Sequence, residues 1–146
     1  MLSLQFLRTK FHPMFFGNIS NTSFQNAVQN WLNSYSLYAK TAIAGPTIPV
    51  ISSVFTVISG DFYSSFSDSV SAMWMSAQWI GPGFTGITTF VPSMEQPLKN
   101  IGKMLTSIRN ADTALDNIVN VIHTYTLGIV VNVANAAGVI TPTKIT

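Results

Sequence analysis

The side chains of this sequence that could do chemistry are few, and their spacing works against it. His12 stands before Pro13 in a loop-like context and His123 lies in a helical stretch, each without a second His or a carboxylate four residues away. A metal site or a general base needs converging ligands or an orienting partner, so both read as structural or surface residues. Asp112 and Asp116 stand four apart and share a helix face, as paired carboxylates would. With Lys103 and Arg109 nearby they read instead as a solvated charged collar. Asp61 and Asp68 flank a Ser-rich segment with no basic neighbour, which points to capping and solubility. The segment Gly81-Pro-Gly-Phe-Thr-Gly86 lacks the Gly-Lys-Ser/Thr ending of a phosphate loop, and no Gly-x-Ser-x-Gly elbow presents a nucleophile. No catalytic, cofactor-binding or metal-ligating residue is assigned, no small-molecule substrate is expected, and the chain reads as non-enzymatic.

What must position side chains here is burial, because charge is scarce. Only 8% of the 146 residues are charged, against 47% hydrophobic, where a soluble monomeric domain carries about a quarter charged. The net charge of +2 comes without a dense basic stripe, so no specific nucleic-acid binding is expected. The absence of cysteine rules out disulfides and thiolate metal sites. Asn18-Ile-Ser20 and Asn21-Thr-Ser23 match the glycosylation pattern, as chance allows in a chain this rich in Asn, Ser and Thr. The N-terminus is apolar first and basic afterwards, the reverse of a secretory signal, so no cleaved signal is expected. Apolar Leu2, Leu4, Phe6 and Leu7 at one end and Ile140 and Ile145 near the other are expected to dock against neighbouring chains.

The spacing of apolar residues predicts a mainly α fold: a helical hairpin plus a long heptad-patterned C-terminal helix, with a Gly/Pro-rich connector between them. Phe24, Val28, Trp31, Tyr35 and Tyr38 form one face of a helix over 22–44. Its hairpin partner runs over 49–80 with a kink at Gly60, although the β-branched residues of 50–58 would also suit a strand. Three glycines and three prolines over 81–97 make the connector. The C-terminal helix, from 98 to 128 or beyond, carries a packing seam of Leu98, Ile101, Leu105, Ile108, Leu115, Val119, Ile122, Ile129 and Val133, spaced as in a coiled coil. Every aromatic except Tyr125 precedes residue 91. The chain therefore divides into an aromatic-rich helical packing region, 1–92, and an aliphatic, Asn-rich arm, 93–146, within one domain overall.

Uncharged stretches at 41–60, 69–94 and 117–143 approach the roughly 20 residues that cross a bilayer, yet contain Gly, Pro, amides and hydroxyls. Two functions remain. The first is a structural subunit buried through uncharged helical faces in a large assembly, such as a virion, tail or filament, with copies of itself or other protein subunits as partners. The alternative is a membrane-integrated or membrane-inserting helical protein, a subunit of a membrane complex or a delivery or pore-forming component, with lipid as partner. Localisation follows the same division, within a large assembly or at a membrane.

Overall fold

The computed structural model describes residues 1–16, 23–105 and 110–146. These form five helices and five strands: α1 (Leu4–Phe16), α2 (Phe24–Ala39), β1 (Ile48–Val50), α3 (Phe62–Ser76), β2 (Gln78–Gly81), β3 (Phe84–Phe90), α4 (Glu95–Leu105), α5 (Ala111–Thr126), β4 (Val130–Asn135) and β5 (Ile140–Lys144). The strands make one antiparallel sheet in the order β1-β2-β3-β4-β5. The helices contact one another in a closed cycle, α1 to α2, α3, α4, α5 and back to α1, and α3 lies against β3. The fold is thus mixed α/β, and this overturns the mainly α, all-α expectation.

Local chemistry explains where the expected helices stop. Gly60 has φ +144° and Asp61 caps α3 by accepting from the Ser64 backbone N–H at 2.8 Å, so the helix begins after Gly60 instead of bending there. Its expected first half, 49–59, is β1 and irregular backbone. The connector holds two strands. Pro82 and Gly83 form the tight turn between β2 and β3, and Gly83 at φ +74° supplies the positive φ this turn needs.

Among the described residues no coiled coil forms at the C-terminus. Asn110 caps a new helix, α5, by accepting from the Asp112 N–H at 2.9 Å, and α5 ends at Thr126. The following run Ile129-Val-Val-Asn-Val is β-branched and pairs as β4, in which Val131 and Val133 alternate inward with period two. Asn135 Oδ1 then accepts from the N–H groups of Ala137 and Val139, both at 3.0 Å, and closes the hairpin to β5. Pairing of β3 with β4 joins the regions 1–92 and 93–146.

No helix among the described residues is long and apolar enough to cross a membrane. The reading of 41–60, 69–94 and 117–143 as membrane-associated spans is overturned: each is broken up into strands, turns and helix segments. Both chain ends are tied within the chain. The Met1 amino group donates to Thr41 O, while Ile43 and Thr146 exchange backbone bonds of 3.0 and 2.9 Å. Leu2, Leu7 and Ile145 are buried in the same core, so these residues dock on their own chain.

That core is aromatic and held by one directed hydrogen-bond chain. Trp74 Nε1–H donates to the Tyr35 hydroxyl at 2.7 Å, Tyr35 bonds Thr126 Oγ1 at 2.9 Å, and Thr126 donates to Ile122 O at 2.7 Å. All three side chains are fully buried. The chain joins α3, α2 and α5, and the Trp74 ring stacks on Trp79 of β2 at 5.6 Å, joining the helices to the sheet. Trp79 Nε1 donates in turn to Thr88 on β3 at 3.0 Å. Gly86, beside Trp79, leaves the room this indole needs: a Cβ there would stand 2.9 Å from Trp79 Cβ and from Val131 Cγ1.

Replacing Tyr35 with Phe keeps the ring but strands the Trp74 N–H and breaks the link to Thr126. Urea denaturation is expected to show a loss of about 1–3 kcal/mol, and an unchanged midpoint would show that the hydroxyl chain contributes nothing.

Candidate functional site

The groups that could do chemistry are dispersed, and most are engaged locally, while Asp68 stands exposed on α3. His12 lies on α1, not in a loop, and stacks on Phe16 at 4.4 Å. His123 Nδ1 is bonded to the Tyr38 hydroxyl. Burial lowers the His123 pKa from 6.5 and raises those of Tyr38 and Tyr35, so all three favour their neutral forms. Asp112 and Asp116 accept from Arg8 at 2.8 and 2.6 Å, clamping α1 to α5. Arg109, expected beside them, lies outside the described residues, as do Asn18–Thr22 and Ile108. Lys99 bridges Glu95 at 2.6 Å and Asp61 at 3.5 Å, and Ser64 donates to Glu95, so Asp61 has a basic partner after all. The Ser64 backbone N–H lowers the Asp61 pKa, and the Lys99 hydrogen bond lowers that of Glu95. Among the described residues, no group of three or more His, Cys, Asp or Glu side chains converges.

The sequence-derived packing residues fall on several elements. Leu98, Leu115, Val119, Ile122, Ile129 and Val133 are buried and Ile101 and Leu105 half-buried, shared between α4, α5 and β4 with its approach. On α2, Val28, Tyr35 and Tyr38 are buried, Trp31 is half-buried at the centre of the Phe11–Phe62–Phe66 ring cluster, and Phe24 stands at the rim, 44% exposed. Leu32, absent from the expected face, is fully buried between them. These residues hold the chain to itself.

The feature left open is the outer face of the sheet. Trp79, Thr88, Val131 and Val133 point inward, so the alternate positions point away from the core. In register across the strands they make one row of Ile48, Ile80, Thr85, Ala134 and Ile140, then a second of Val50, Gln78, Ile87, Asn132 and Pro142. A register shift between Thr88 and Phe90 pairs Phe90 with Val130, bringing this aromatic ring to the outer face as well. Ile87 is 64% exposed, Ile140 60%, Ile48 58%, Phe90 56%, Ile80 48% and Val50 44%. The outer face of an antiparallel sheet is normally polar. Here, among the described residues, its only charge is Lys144, at one corner. A shallow cleft of about 360 Å³ between Ile80, Phe84, Thr85 and Ala136 lies at one end.

None of these outward residues was singled out in the sequence for this face. The available signal was the alternation of Thr85, Ile87 and Thr89 with Gly86 and Thr88, hidden inside a Gly/Pro-rich segment. The chain matches no protein-family model, no curated protein and no solved structure.

Lowered in the native state, the His123 pKa makes unfolded chains bind the extra proton as pH falls below 6.5. Above that value both states are neutral and stability is unaffected by this residue. Thermal unfolding at about pH 7.5 and about pH 5.5 is expected to show lower stability at the acid value, with the difference reduced in His123→Gln; equal pH slopes in both proteins would contradict it.

Proposed function

We propose that this chain is a non-enzymatic structural subunit, held in a larger protein assembly of the virion, tail or filament kind by the outer face of its sheet. The observation that carries this reading is that face itself, five strands wide and lined by Ile48, Val50, Ile80, Ile87, Phe90 and Ile140 with no charge near its centre. Six apolar side chains exposed to this degree leave roughly 600 Å² open, at the upper end of what a monomer carries as its largest patch. Apolar exposure of that size on one face, interrupted near its centre only by uncharged polar side chains, marks a protein contact. Two charge clusters, Arg8 with Asp112 and Asp116 and Lys99 with Asp61 and Glu95, are spent internally on the helical side. Recognition then runs on shape and apolar burial, with Gln78, Asn132 and Thr85 as the polar groups that set register.

Native electrophoresis of gently lysed source material, probed with antiserum to the chain, is expected to show it in a complex far larger than its own 15.9 kDa. The double substitution Ile48→Glu with Ile80→Glu should release it while leaving its circular dichroism unchanged. Migration of the unaltered chain at single-chain mass overturns the reading.

A further inference from the structure

We propose that the occupant of the outer sheet face is a second copy of this chain, packed sheet against sheet about a two-fold axis. The inference rests on the assembly reading above and names the first contact within it.

Area is the first argument. The roughly 600 Å² of open apolar surface, with Gln78, Thr85, Asn132 and Pro142 between, brings the face to the ~800 Å² per partner that a stable pair of small proteins buries. That is about a tenth of the chain's 7609 Å² of accessible surface.

Electrostatics selects the partner. A two-fold contact sets a face against itself, so any charge near its centre would meet its own sign. This face has none there, and its Lys144 stands at the rim. A charged partner, by contrast, would bury its charge unanswered over Ile80 and Ile87. The polar groups are also their own complements. Gln78 and Asn132 flank Ile87 in the same row, and each amide carries both donor and acceptor, so it can bond its own kind across the axis.

The edges select the mode. β1 and β5 are the two edge strands, and each has a proline at its middle position, Pro49 and Pro142. Proline has no N–H to offer an added strand, so extension of the sheet edge to edge is discouraged while the face stays open. Packing face to face at the usual ~10 Å separation places Ile87, the middle residue of the central strand, near the axis and close to its own copy.

Sedimentation velocity of the purified chain over about 1–100 µM, at or above the µM-to-pM dissociation constants of interfaces of this size, is expected to give twice the 15.9 kDa chain mass. Ile87→Glu should weaken the dimer by at least about 100-fold without altering circular dichroism, and should remove the concentration dependence that dimerisation gives the unfolding midpoint. Leu37→Glu, on the exposed part of α2, should leave it intact. Because the chain has no cysteine, Ile87→Cys treated with a bismaleimide whose reach matches the ~10 Å between packed sheets should give a covalent dimer and Leu37→Cys should not. A monomer throughout the concentration range, a dimer unaffected by Ile87→Glu, or failure of Ile87→Cys to cross-link overturns the inference. If the purified chain is monomeric yet still runs in a large complex in native extracts, the self-pairing fails and the assembly reading stands; single-chain migration in both removes both.

Discussion

The interaction on which the rest of this structure depends is the hydroxyl of Tyr35. It accepts from the Trp74 indole and donates toward Thr126, whose own proton goes to the Ile122 carbonyl. One oxygen thus ties three helices that are far apart in sequence, in a core where every partner is out of water. A buried polar group without a partner costs more than its hydrogen bond contributes, so the network tolerates one relative placement of α2, α3 and α5. The Trp74–Trp79 stack passes that placement to the sheet. Among the described residues no buried side-chain nitrogen or oxygen is left without a partner.

This arrangement also explains how a chain with so little charge holds one conformation. Hydroxyls and amides take many of the roles that ion pairs and exposed charges take elsewhere: Ser23 and Asn110 cap helices, Ser67 accepts from the Met94 N–H, and Asn135 closes a hairpin. Two small ion-pair clusters clamp α1 to α5 and α3 to α4. Charged groups are thereby engaged on the helical side, and the sheet's far side carries apolar residues with only the uncharged Gln78, Thr85 and Asn132 among them. The scarcity of charge has a location: it is concentrated on one outward face whose rows contain Ile48, Ile80, Ile87 and Ile140.

Helices with a clean apolar face were legible in the sequence. Phe24 to Tyr38 mark α2, and the Ser-rich run after Asp61 continues as α3, because period and cap residues are local signals. The long C-terminal helix was not there. Val133 satisfies both a heptad and an alternating pattern, so a count of apolar spacings ran on through Asn110 and Gly128, where the backbone changes direction. Strands β2 and β3 were hidden by the glycines and proline of their hairpin, residues that are needed there for a tight turn and for room beside Trp79. α1 was not anticipated: Leu7 was expected to dock on a neighbouring chain and packs in the chain's own core instead, and Pro13 with the basic Arg8 and Lys10 disguised the burial of Phe11.

By itself the sequence determined that this chain would be poor in charge, free of thiol chemistry, without a recognisable catalytic motif, and built around aromatic side chains. These follow from residue types, which need no neighbours to be read. Only the tertiary structure decided which uncharged residues would be covered. Ile87 and Val131 look alike in the sequence, yet one is 64% exposed and the other fully buried. The difference comes from strand pairing between segments more than forty residues apart, which sets the facing of every residue in the sheet by its register. The open face is therefore a property of register, of which the local alternation around Ile87 carries only one strand's share.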